Sequence, residues 1–156
     1  FHYKPDNWRA SQVRNIGAIE GNSPVSDNQW ETITSGGDEK IKAWIDEQLK
    51  NRSCAVVLVG EKTAGRKWIK YEIKRAWDSE KGLVAICIHN LKDKDGNQSN
   101  KGANPFEEFT VGDKKLSSIV KLYDPPYKTS TYVYDHIAEN IESWVDEAIQ
   151  IRGQFS

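Results

Sequence analysis

The chain has 156 residues, enough for one domain that buries roughly 70% of its unfolded surface. Its 22 Lys and Arg against 23 Asp and Glu leave a formal net charge of −1, which argues against a general nucleic-acid binder with a basic face. No apolar run reaches the roughly 18–20 residues of a membrane span, so no membrane partner is expected.

In chain order, Pro5 and Asp6 open a helix with a partial apolar side of Trp8, Val13 and Ile16, capped by Asp6 or Asn7. Gly17 to Gln29 gathers Gly, Asn, Ser, Pro and Asp and reads as loop with at most a short strand. Trp30 to Gly37 is a second loop. A helix follows from Gly37 or Asp38, with Ile41, Trp44, Ile45 and Leu49 on one face.

The central stretch runs from Cys54 to Trp77. Ala55 to Val59 is a continuous apolar run, the pattern of a strand buried on both faces of a parallel sheet. Gly60 to Gly65 breaks it, and a helical period takes over at Lys67. Ile69, Ile73, Ala76 and Trp77 form the packed face, with Trp68 and Glu72 four apart on the neighbouring one. Leu83 to Ile88 is a second apolar strand with His89 and Asn90 at its carboxyl end, where open α/β sheets bind ligands. A polar excursion from Lys92 to Asn104 comes next, backed by Pro105, Phe106 and Phe109. Ser118 to Tyr123 is a last short strand, stopped by Pro125-Pro126. Tyr134, Ile137, Ile141, Trp144, Val145, Ala148 and Ile149 mark a closing amphipathic helix. Alternating strands and helices predict an α/β fold, a flavodoxin-like three-layer sandwich around a parallel sheet of strand order 2-1-3-4-5.

Three motifs weigh little. Gly60 to Lys67, GEKTAGRK, imitates a phosphate-binding loop, but Arg66 and Lys67 occupy the places of its Lys and Mg²⁺-binding hydroxyl. Asp93-Lys-Asp-Gly-Asn97 has its Gly too early for a calcium loop and reads as an Asp-Gly turn. His2, His89 and His136 with two cysteines show no zinc spacing, so no metal is expected. Cys54 and Cys87 fall at opposite ends of neighbouring strands, out of disulfide reach, and two buried free thiols point to a reducing cytoplasm.

Trp68-Ile-Lys-Tyr-Glu72 resembles the W-x-x-x-E motif of TIR domains. With Phe1-His2-Tyr3 and the run from His89 and Asn90 to Asn97, it is similar to the TIR-like sensors of bacterial Thoeris anti-phage defence. The resemblance covers the chain to about Phe109 and implies one TIR-like domain over residues 1–156, its first strand beginning ahead of Phe1. It implies an enzyme that cleaves NAD⁺ at Glu72 and makes a cyclic ADP-ribose-type signal for a partner effector. NAD⁺ is then substrate, no cofactor is required, and homo-oligomers are possible partners. Phe1, His2, Tyr3, Trp30, Trp68, His89 and Asn90 become candidate binding residues, with Trp30 to Gly37 as a mobile loop over the pocket. Periodicity by itself reads Glu72 as a surface carboxylate paired with Arg75, and Trp68 as a core aromatic. The alternative reading is a catalytically silent TIR-like interaction module. A nucleoside-processing transferase of similar fold is a third.

Overall fold

The structure is a computed structural model that describes residues 6–14, 16, 33 and 35–155. Helix α1 spans Asn7–Arg14 and α2 spans Asp38–Leu49. Strand β1 (Cys54–Val59), helix α3 (Lys67–Asp78) and strand β2 (Gly82–Cys87) form the central unit. Two short strands, β3 (Thr110–Val111) and β4 (Lys114–Lys115), precede a 3-10 turn at Leu116–Ser118, strand β5 (Lys121–Tyr123) and helix α4 (Ser130–Gly153).

Strands β1, β2 and β5 make a parallel sheet in that order, with Val59 opposite Cys87 and Ile86 opposite Tyr123. Every residue of β2 is buried, as its uninterrupted apolar run requires of a central strand covered on both sides. Side-chain alternation splits the core in two. On one face Ala55, Val57, Val59, Leu83 and Ala85 pack with Ile41 and Ile45 of α2 and Ile69 and Ile73 of α3. On the other, Leu58, Val84, Ile86 and Ile88 pack with Ala10 and Val13 of α1 and Ile137, Ile141 and Trp144 of α4.

The α/β class and a parallel sheet, of order β1-β2-β5 among the described strands, are thus present. The first two strands of the 2-1-3-4-5 order fall on residues outside the described ones. Differences lie at the edges of elements. The expected strand over Ser118 to Tyr123 is a 3-10 turn and then three strand residues, because Leu116 turns inward, fully buried, before the ladder begins. The antiparallel β3–β4 pair closes on Gly112 at φ 64°, a left-handed turn position suited to glycine. Among the described residues no helix is long and apolar enough to cross a membrane.

Both cysteines are free, and the register sets Cys54 opposite Gly82 and Val59 opposite Cys87, so the thiols sit at opposite strand ends.

Candidate active site

The carboxyl edge of the sheet is built by the segments that leave β1 and β2. After β1 the chain turns tightly: the Gly60 N–H donates to Thr63 Oγ1 at 2.8 Å, and Thr63 is wholly buried. Gly65 at φ 83° then turns the chain into α3. This is a hydrogen-bonded strand-to-helix loop, as the defective phosphate-loop motif suggested.

Glu72 lies in the second turn of α3, in the half of the helix nearer that edge. It is only 9% exposed and shares the buried face with Ile69, Ile73 and Ala76. Arg75, the surface partner that periodicity assigned to Glu72, donates from Nε to Asp46 Oδ1 of α2 at 3.0 Å. Glu72 itself joins the packed face that periodicity gave to Ile69, Ile73, Ala76 and Trp77; Trp77, half-buried, packs on the same core with the Arg152 guanidinium over its ring at 4.4 Å. The Glu72 carboxyl group is held largely out of water, where a fold tolerates a polar group only when something engages it.

Trp68, one turn earlier, packs partly against the α2–α3 core and meets Tyr71 edge-on at 5.8 Å. It lines an open groove with Lys42, Gly65, Tyr71 and Phe109, and Glu72 does not line that groove. The described contacts set Trp68 on the flank of α3, part packed on the core and part lining that groove.

His89 and Asn90 stand at the end of β2. The ladder continues one residue past the strand, since the Ile88 N–H donates to Val59 O at 2.9 Å. Alternation then puts Cys87 and His89 on the α3 face, the face that buries Glu72. His89 is 7% exposed. Burial is the main cause that holds its imidazole below the ordinary value; nearby Asp124 opposes this, while Lys101 and Arg9 add to it. Asn90 is half-buried, its Nδ2 donating to Tyr127 O at 3.1 Å. Burial likewise pushes the Cys54 and Cys87 thiols up to about 12, which makes both poor nucleophiles. Phe1, His2, Tyr3 and Trp30 lie outside the described residues.

The polar excursion after His89 lies across this edge. Ser99 N–H donates to His89 O at 2.9 Å, Asn100 N–H donates to Glu61 Oε1 at 2.9 Å, and Gln98 Nε2 donates to Asn90 O at 2.7 Å. Phe106 is fully buried behind it, and Phe109 packs on the same core. The Asp-Gly turn forms as expected, with Asp93 Oδ1 accepting from the Asp95 and Asn97 N–H groups at 2.9 Å each.

One cluster here escaped the sequence reading. Arg9 of α1 is 5% exposed and bonds Asp6 at 3.2 Å, Leu91 O at 2.7 Å and Asn97 O at 2.8 Å, with Asp93 at 3.7 Å. It pins the excursion to the first helix. Asp6, 4% exposed, faces Gly60, where a Cβ would come within 2.1 Å of its Oδ2. Burial lifts the Asp6 carboxyl above its ordinary value, and Glu61 adds a little; Arg9 and Arg66 pull the other way and are overruled. The i,i+3 spacing of Asp6 and Arg9 was visible in the sequence, but the two carbonyl acceptors lie far along the chain.

A parallel sheet of β1, β2 and β5 covered by helices is consistent with a TIR-like α/β fold. Comparison with known families agrees: residues 1–93 match the family described as "Thoeris protein ThsB, TIR-like domain". The chain belongs to that family. Over 112 residues it is 33% identical to the Bacillus cereus (strain MSX-D12) protein named "Putative cyclic ADP-D-ribose synthase ThsB1". That match takes in 69% of this chain and 58% of the relative's length.

Proposed function

We propose that this protein is a TIR-like enzyme that splits NAD⁺ between nicotinamide and ribose, with Glu72 as the catalytic carboxylate. The observation that carries the reading is the burial of Glu72 on the α3 face near the carboxyl edge. The name of the Bacillus cereus relative supports a cyclic ADP-ribose product.

The chemistry suits a single anion. The C–N glycosidic bond breaks and nicotinamide leaves with the electron pair as a neutral molecule, so no general acid is required. The ribosyl centre becomes oxocarbenium-like, and a carboxylate held out of water stabilises it more than one in solvent would. A hydroxyl of the adenosine half then forms the new C–O bond, and its proton passes to Glu72. Phe1, His2, Tyr3, Trp30, Trp68, His89 and Asn90 are proposed to bind the dinucleotide, the aromatics by stacking on its rings. No resident cofactor enters this scheme.

Residues 1–156 act in this reading as one TIR-like domain, in the cytoplasm where NAD⁺ is available. The product activates a separate effector in anti-phage defence, and self-association supports the active state. Incubation of the purified protein with NAD⁺ should release nicotinamide, with a cyclic ADP-ribose isomer identified by mass spectrometry. Because sensors of this kind answer to infection, the same product should accumulate in phage-infected cells carrying the protein. Its absence from both would overturn the proposal.

A further inference from the structure

Where β2 and β5 end side by side, three side chains of metal-ligand type converge. The parallel register sets Ile86 opposite Tyr123, so the next residues on each strand, Cys87 and Asp124, fall beside one another. His89, two residues past Cys87, emerges on the same face. One ligand atom from each of Cys87, His89 and Asp124 lies within 4.8 Å of the other two. No spacing rule along the sequence finds this group, because Asp124 arrives by strand pairing.

A second observation points the same way. His89 is more than nine-tenths buried, and its Nδ1 has no hydrogen-bond partner. A buried ring nitrogen without a partner is costly unless something occupies that position. Cys87 is 1% exposed beside it. Asp124 is the solvent-facing member, its Oδ2 3.2 Å from the Lys101 ammonium of the excursion. The cluster is therefore closed on its protein side and open on one other.

We propose that Cys87, His89 and Asp124 form a binding site for a borderline-soft divalent cation of the Zn²⁺ class. Sulfur, imidazole nitrogen and carboxylate oxygen are the three donors such an ion takes, with a fourth position left to solvent or ligand. The edge of a tetrahedral zinc shell is about 3.3–3.8 Å, given bonds of about 2.0–2.3 Å. The observed spread closes to that by side-chain rotation. Thiolate and carboxylate together balance the charge of the ion, and Asp124 exchanges the Lys101 ammonium for it. Hard cations such as Mg²⁺ and Ca²⁺, which take all-oxygen shells, are excluded by the sulfur and nitrogen donors. The proposal stands whether or not NAD⁺ is the substrate.

The test is titration of the purified, metal-stripped protein with Co²⁺ as a spectroscopic stand-in, followed by Zn²⁺ competition. One equivalent of Co²⁺ should bind with a thiolate-to-cobalt charge-transfer band and tetrahedral d–d absorption, and Zn²⁺ should displace it. Cys87→Ser should abolish the charge-transfer band. Asp124→Asn should weaken Co²⁺ binding by at least tenfold, the low end of the loss typical of even outer-shell partners. Lys101→Ala should tighten it, since the competing ammonium is gone. Both of these residues are solvent-facing, so their variants keep the test decisive if Cys87→Ser fails to fold. Wild-type protein without a charge-transfer band, or affinity indifferent to Asp124 and Lys101, would overturn the site.

Discussion

Arg9 shows how one buried side chain holds the candidate site together. Its guanidinium bonds Asp6 Oδ1 and two carbonyls far along the chain and lies beside Asp93. Removing one partner of a buried ion pair typically costs about 3–5 kcal/mol, because the other charge is left uncompensated. Arg9→Ala should therefore lower the urea-unfolding free energy by that amount; a loss under about 0.5 kcal/mol would show that the cluster is solvated. Asp6 gives a pH test with a definite sign. Its raised carboxyl means that folding favours its protonated form. Its stabilisation is then fully present below the unfolded-state pKa and lost as pH rises through the folded value. Measured against Asp6→Asn, which fixes a neutral side chain, wild-type stability should fall as pH rises across that window. A rise instead would mean that Arg9 outweighs burial. The Asp6–Arg9 spacing was visible in the sequence, but the role of Arg9 was not, because its other partners are backbone carbonyls of a distant loop. Glu72 was half legible: helical spacing found its position, and only packing showed its burial on the core face.

Among elements, the buried strands were the clearest in the sequence. Continuous Val, Ile, Leu and Ala runs can be satisfied only by cover on both faces, and β1 and β2 lie within a residue or so of where those runs stand. Helix α4 is longer than its apolar pattern suggested, since Val133 and Arg152 are also buried. The β3–β4 pair carried no signal: two-residue strands of Thr-Val and Lys-Lys show no period, and their pairing rests on the turn at Gly112. The excursion over the carboxyl edge was legible as a polar loop but not as a seated one. Its seat depends on Gly102, where a Cβ would lie 2.0 Å from Gly60 O. Gly102→Ala must move the loop or the turn after β1, at a cost of about 1–3 kcal/mol typical of overpacking. Hydrogen exchange should then quicken at Ser99 and Asn100, whose amides are bonded to His89 and Glu61 in the wild type. Unchanged exchange and stability would mean that the loop is not held by this contact.

For the molecule as a whole, the sequence carried the family before the fold was seen. The Trp68-to-Glu72 motif and the run from His89 to Asn97 carried the resemblance, and residues 1–93 match that family. The complete strand order and the contribution of Phe1, His2, Tyr3 and Trp30 rest on residues outside those described. NAD⁺ cleavage as proposed turns on one carboxylate, Glu72, buried on the packed face of α3. Replacing Glu72 with Gln keeps its size and much of its hydrogen bonding and removes the charge. The most direct measurement is nicotinamide release from NAD⁺ by Glu72→Gln, with a cooperative melt to show that the variant is folded and Arg75→Gln as control. Turnover should fall by about 10²–10³, the scale of losing one preorganised electrostatic contact, while Arg75→Gln stays close to wild type. A folded Glu72→Gln protein that releases nicotinamide at the wild-type rate would contradict the account and favour an interaction module.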